Sequence, residues 1–295
     1  IKGVTMKRKI FTLLGLGFAC LMLSACAKDK GESKEAKTDN VIEYSNLNSK
    51  ESQKEVSDLL KQSGIKSDSI DNFLQHVNQF NDIAQGQDLI GDFTAKDPAS
   101  AVYDVNTLSD NWTKKYPDFI GYNCRITTFS LCKDLIKIDS NPDIRDELLF
   151  MDLEALDTDN SAVDTADGMN KFEAFYSSIP TEKNPDVNIH IANIEKSLKD
   201  RNITFTDNDK ASIVSVWMYD DIDDPKLFIG HVGVLLNTDK GFYFIEKLSF
   251  QEPYQVIRFN TKKEVNDYLM KKYDVDPSEE RAKPIVFEDG SPMQV

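Results

Sequence analysis

Four runs in the last third of the chain constrain its fold most. Residues 211–219 (ASIVSVWMY), 227–236 (LFIGHVGVLL), 242–250 (FYFIEKLSF) and 254–259 (YQVIRF) are rich in β-branched and aromatic side chains and are divided by short polar turns. Links that short join antiparallel neighbours, because a parallel pair needs a crossover of a dozen or more residues. The runs therefore predict an antiparallel meander.

Upstream the period changes. Ser52-Gln53-Lys54-Glu55 fits a capping box, with Val56, Leu59 and Leu60 on one face and Gly64 as the stop. Ser67 is placed to cap a second helix carrying Ile70, Phe73, Leu74, Val77, Phe80 and Ile83 at helical spacing, with His76 off the stripe and expected to be exposed. Residues 84–110 read as a long connection. Further helices are expected at Cys124, over 142–156, over 169–177 and, behind the box Thr261-Lys262-Lys263-Glu264, to about Lys272. Helices first and a meander later predict one α+β domain over residues 43–275, with an irregular tail over 276–295.

The N-terminus speaks of destination. Met6 precedes Lys7, Arg8 and Lys9, an apolar run over 10–23, and then Leu23-Ser24-Ala25-Cys26, the order of an export signal. The apolar run is shorter than the ~20 residues a spanning helix requires. Its ending resembles a bacterial lipobox, which implies cleavage before Cys26 and acylation of its thiol. On that reading residues 1–25 are a lipoprotein signal peptide and 26–42 a lipidated, flexible tether, poor in apolar side chains. Loss of Lys2, Lys7, Arg8 and Lys9 leaves 31 basic against 50 acidic residues, a balance of −19. Such a surface disfavours nucleic acid and anionic headgroups, so anchoring to the bilayer falls to the acyl chains on Cys26.

With Cys20 in the signal and Cys26 acylated, Cys124 and Cys132 are the thiols of the folded domain. Eight residues of helix rise about 12 Å, beyond the reach of a disulfide, so a helical segment keeps them apart. Asn123 is a favourable N-cap and places Cys124 in the first turn, where free N–H groups, the helix dipole and Arg125 all favour a thiolate. Cys132 lies among apolar residues, where a thiol is inert. A cysteine nucleophile needs a base and the base an orienting group. His231 interrupts an apolar strand between Gly230 and Gly233, and Glu246 interrupts the next. A turn centred between Thr238 and Asp239 sets His231 directly opposite Glu246, while a slip of one residue sets it opposite Lys247. The bland alternative is a buried pair serving stability alone. Asp157-Thr158-Asp159-Asn160-Ser161 lacks the glycine and the bidentate glutamate of a calcium loop, and His190 has no partner at metal-ligand spacing. No metal or cofactor is expected.

A cysteine opening a buried helix, followed by a histidine on a strand and a polar group on the next, resembles the papain-like cysteine peptidase and amidase fold over residues 110–260. That resemblance implies Cys124 as nucleophile, His231 as general base and acid, and Glu246 as orienter. Papain-like peptidases carry a glutamine shortly before the cysteine as an oxyanion donor, whereas the equivalent stretch here offers Asp118. Asn111, Trp112 and Tyr122 are the candidate donors or substrate-binding residues in its place, beside the Cys124 N–H. The segments Gly121-Tyr122-Asn123-Cys124-Arg125, His231-Val232-Gly233-Val234-Leu235 and Phe244-Ile245-Glu246-Lys247, with Pro253-Tyr254-Gln255, also look like an uncharacterised family of bacterial surface lipoproteins. The expectation is a lipid-anchored protein on the extracytoplasmic face that cleaves cell-wall or protein amide bonds. The alternative is a non-catalytic binding lipoprotein on the same scaffold.

Overall fold

The structure, a computed structural model, describes residues 42–138, 146–278 and 280–295. The export signal, Cys26 and nearly all of the tether lie outside them. Within them the chain is α+β. It begins with β1 (Glu43–Ser45), α1 (Lys50–Gln62), α2 (Ser67–Ile83), β2 (Thr94–Ala95), α3 (Val105–Lys115), α4 (Cys124–Cys132) and β3 (Ile136–Ile138). Then come α5 (Phe150–Thr158), α6 (Ala166–Tyr176), β4 (Ile179–Pro180), α7 (Val187–Asp200) and β5 (Ile203–Phe205). The last third holds β6 (Ala211–Asp220), β7 (Lys226–Thr238), β8 (Gly241–Lys247), β9 (Tyr254–Phe259), α8 (Lys262–Tyr273), β10 (Ile285–Glu288) and β11 (Ser291–Pro292).

The meander β6–β9 is the centre of an antiparallel sheet in the order β11-β10-β6-β7-β8-β9-β1-β2, with β4 also on β7. Alternate residues of its strands feed two apolar clusters. Val232, Val234, Leu236 and Ile245 face α2 and α4, while Leu235, Phe244, Ile257 and Phe259 face Val265, Tyr268 and Leu269 of α8. Burial on both faces is why these runs are almost continuously apolar rather than alternating.

Several expectations change in detail. Ser49, not Ser52, caps α1, accepting from Ser52 N at 3.1 Å. Lys66 precedes α2 without a side-chain cap, and His76 is buried, its ring 4.0 Å from that of Tyr122. The long connection shortens because α3 already starts at Val105. α7, not among the expected helices, carries Val187, Ile191, Ile194 and Leu198 at helical spacing behind its cap Asp186, with His190, Ile194 and Leu198 buried. The capping box of α8 forms with both of its bonds.

The tail from 276 is not wholly irregular. β10 pairs β6 from Ile285–Trp217 to Glu288–Val214, with Phe287 fully buried. It closes a sheet edge that would otherwise expose unpaired backbone groups. Four residues between turn-forming Pro and Asp-Gly pairs are too few to stand out as a periodic run.

Candidate active site

Two irregularities in β7 build the site. The first is a bulge: Val216 pairs His231 but Trp217 pairs Ile229, so Gly230 is the extra residue. A Cβ there would lie 2.3 Å from Met218 Sδ. The bulge swaps the faces, and His231 points to the α8 side with Leu235, while Ile229 and Leu227 join the other cluster. Leu227 and Ile229 therefore do not share the face of His231.

The second is a missing neighbour. The β7–β8 ladder runs from Val234–Ile245 to Thr238–Gly241, and β4 takes up only Lys226 and Leu227. Among the described residues, no strand flanks that side of β7 at Ile229. The start of α4 sits there instead, with Arg125 Nη1 donating to Ile229 O at 3.2 Å. A helix end takes the place of a strand, and Cys124 thereby reaches His231.

The turn differs as well. Asp239 and Lys240 form the loop and Gly241 takes φ 108°, so the register moves two residues from the expected one. A shift of two keeps every side chain on its face. His231 and Glu246 therefore still meet, but diagonally: His231 Nε2 lies 2.5 Å from Glu246 Oε2. Glu246 Oε1 accepts from Tyr268 Oη at 2.5 Å and Gln255 Nε2 at 2.7 Å, and the Tyr273 ring stacks on the imidazole at 4.8 Å. With Nε2 engaged, Nδ1 is the nitrogen left for the thiol. Cys124, His231 and Glu246 are 7%, 1% and 0% exposed, a nearly closed constellation.

Burial works to raise the Cys124 thiol, but the hydrogen bond and charge of His231, with Arg125 beyond, outweigh it and hold the thiol below its ordinary value. Burial likewise opposes a charged imidazole, yet hydrogen bonds to Cys124 and Glu246 and their charges push His231 up to about 9. Cys132 meets burial without compensation and is pushed far up. The two thiols of α4 are thus set apart by their neighbours.

Around Cys124 stands a cluster whose key member does not stand out in the sequence. Asn123 Oδ1 accepts from Ile126 N at 3.0 Å, the expected N-cap, and Asn123 Nδ2 donates to Asp152 Oδ1 at 2.8 Å. Arg125 Nε donates to the same oxygen at 2.9 Å and Nη2 to Asp152 Oδ2 at 2.6 Å. Asp152 is fully buried. The only hint was an acid inside an expected helix, and a distant Arg–Asp pairing cannot be read from one chain.

The three oxyanion candidates are occupied elsewhere. Asn111 Nδ2 donates to Ile83 O at 3.2 Å, Trp112 Nε1 to Phe119 O at 2.5 Å and Tyr122 Oη to Asp159 O at 3.1 Å. At the start of α4 the cap Asn123 accepts from Ile126 N with its side chain and from Thr127 N with its carbonyl, which leaves the N–H groups of Cys124 and Arg125 without an intrahelical acceptor. His190 is buried and structural, held by Thr181 Oγ1 at 2.8 Å and Asn184 O at 2.7 Å. Among the described residues no helix is long and apolar enough to cross a membrane.

No curated protein and no solved structure matches the chain. A comparison with protein families matches residues 43–293, nearly the whole described domain, to a domain of unknown function, DUF4300. The chain belongs to the DUF4300 family.

Proposed function

We propose that the domain is a cysteine-dependent amide-cleaving enzyme of papain-like design, tethered to the outer face of the bacterial membrane through acylated Cys26. The observation that carries the proposal is the buried contact of 2.5 Å between His231 and Glu246, with the helix-start Cys124 interacting with the same imidazole. A buried charged pair is costly, and function is a common reason to keep one.

The Cys124 thiolate attacks the carbonyl carbon of the amide, and the oxyanion is met by free N–H groups at the start of α4. The C–N bond breaks as the His231 imidazolium gives its proton to the leaving amine. Water, deprotonated by His231, then attacks the thioester, releasing the carboxylic acid and restoring the thiol. Glu246 keeps the imidazole oriented and favours its charged form. Location on the outer face makes cell-wall peptides and neighbouring proteins the natural substrates.

Near-complete closure of the site favours a second reading, a binding lipoprotein that retains the scaffold without turnover. Acyl transfer separates the two. Treated with p-nitrophenyl acetate, an enzyme forms a thioester on Cys124 that mass spectrometry detects and that water then clears. His231→Ala abolishes its formation. A folded wild-type protein that never acylates at Cys124 would overturn the enzymatic reading.

A further inference from the structure

Asp152 sits on α5, remote in sequence from the three proposed catalytic residues, and receives three hydrogen bonds from the two residues that flank Cys124. One comes from Asn123, the cap of α4, and two come from the guanidinium of Arg125. The remaining arm of that guanidinium holds Ile229 O, two residues before His231 and next to the bulge. Helix, strand and α5 thus converge on one carboxylate with no exposed surface.

We propose that Asp152 is the positioning residue of this site: a single buried carboxylate fixes both sides of Cys124 and, through Arg125, the strand that carries His231. The inference rests on the catalytic reading above.

Geometry gives the reason. The α4 start stands beside β7 where strand pairing has lapsed, so no ladder sets the spacing between thiol and imidazole. The Arg125 fork supplies that spacing. Its planar donors engage both oxygens of Asp152 while a third reaches the strand, a pattern that lysine, a point charge, cannot reproduce. Pairing with Asp152 also occupies Arg125, leaving His231 as the thiolate's direct partner. A change of a few tenths of an ångström would weaken a contact that depends on close approach.

The test is the iodoacetamide alkylation of Cys124 and Cys132 in the full-length protein across pH, resolved by peptide mass spectrometry. Wild type is compared with Arg125→Lys and Asp152→Asn. Arg125→Lys keeps both charges and loses the fork. The Cys124 midpoint should rise toward an ordinary thiol and its rate at neutral pH should fall on the order of tenfold, the equivalent of one pKa unit. Cys132 should stay protected. Asp152→Asn should move the midpoint in the same direction, although removal of its negative charge alone would lower it. A lowered midpoint in Asp152→Asn, or an unchanged profile in Arg125→Lys, overturns the proposal. Parallel labelling of both thiols in the variants also overturns it, because it shows that the cluster only supports folding. A wild-type Cys124 as slow as Cys132 is a different failure, that of the catalytic reading itself.

Discussion

His231 and Glu246 meet on a diagonal of the sheet. Val234 lies opposite Ile245, which sets Glu246 across from Gly233, and the imidazole reaches the carboxylate from two residues further along the same face. The fit depends on what is missing at 233. A Cβ there would lie 2.5 Å from the Phe244 ring and 2.6 Å from Ile245 O.

Gly233→Ala should therefore destabilise the domain by about 1–3 kcal/mol, the usual cost of overpacking a filled core. Because backbone as well as ring obstructs the methyl, β8 must shift, and Cys124 reactivity should fall together with the urea midpoint. Denaturation monitored by tryptophan fluorescence, with alkylation in parallel, checks both.

Glu246→Gln retains an acceptor for Tyr268 and removes the charge that supports the imidazolium. The His231 pKa should drop, and thiolate formation at Cys124 should fall about ten- to a hundredfold at neutral pH, one to two pKa units. Imidazole chemical shifts against pH read the first effect and alkylation rates the second.

Stability should be limited on two sides. Glu246 is held down at about 2, where burial would raise it, by His231, Lys272 and Tyr268. A depressed carboxyl contributes stability that is present above about 4.5 and lost as pH falls toward 2. His231 is raised, so its contribution is full below 6.5 and lost as pH climbs through about 9. His231→Gln should flatten the alkaline limb between those values. Melting temperatures across pH decide it, and an unchanged alkaline limb would contradict the assigned charge state.

Phe287→Ala, in the short strand β10, should cost about 3–5 kcal/mol, the penalty for emptying a buried aromatic site. Urea titration gives the value. A cost below 1 kcal/mol would mean that the C-terminal strands only decorate the sheet.

Much of this was legible in the sequence, for identifiable reasons. The meander strands carry long β-branched and aromatic runs, and α8 carries both halves of its capping box, so local chemistry and tertiary structure agree there. Cys124, His231 and Glu246 stood out because each is a polar side chain set against apolar surroundings. The diagonal register escaped because a shift of two residues leaves the face pattern intact and depends on Gly241, a turn detail. β10 is too short to announce itself. Asp152 was invisible, since its meaning lies in partners at 123 and 125 that come near only once α4 and α5 pack together.

The proposed chemistry requires a thiolate–imidazolium pair between Cys124 and His231. The most direct measurement is the alkylation rate of both thiols across pH on protein starting at Ala27, beside His231→Ala. Cys124 should label fast near neutral pH and Cys132 slowly, and the difference should collapse in His231→Ala. Slow labelling of both thiols, unchanged by the substitution, would contradict the pair and leave Cys124 a packing residue.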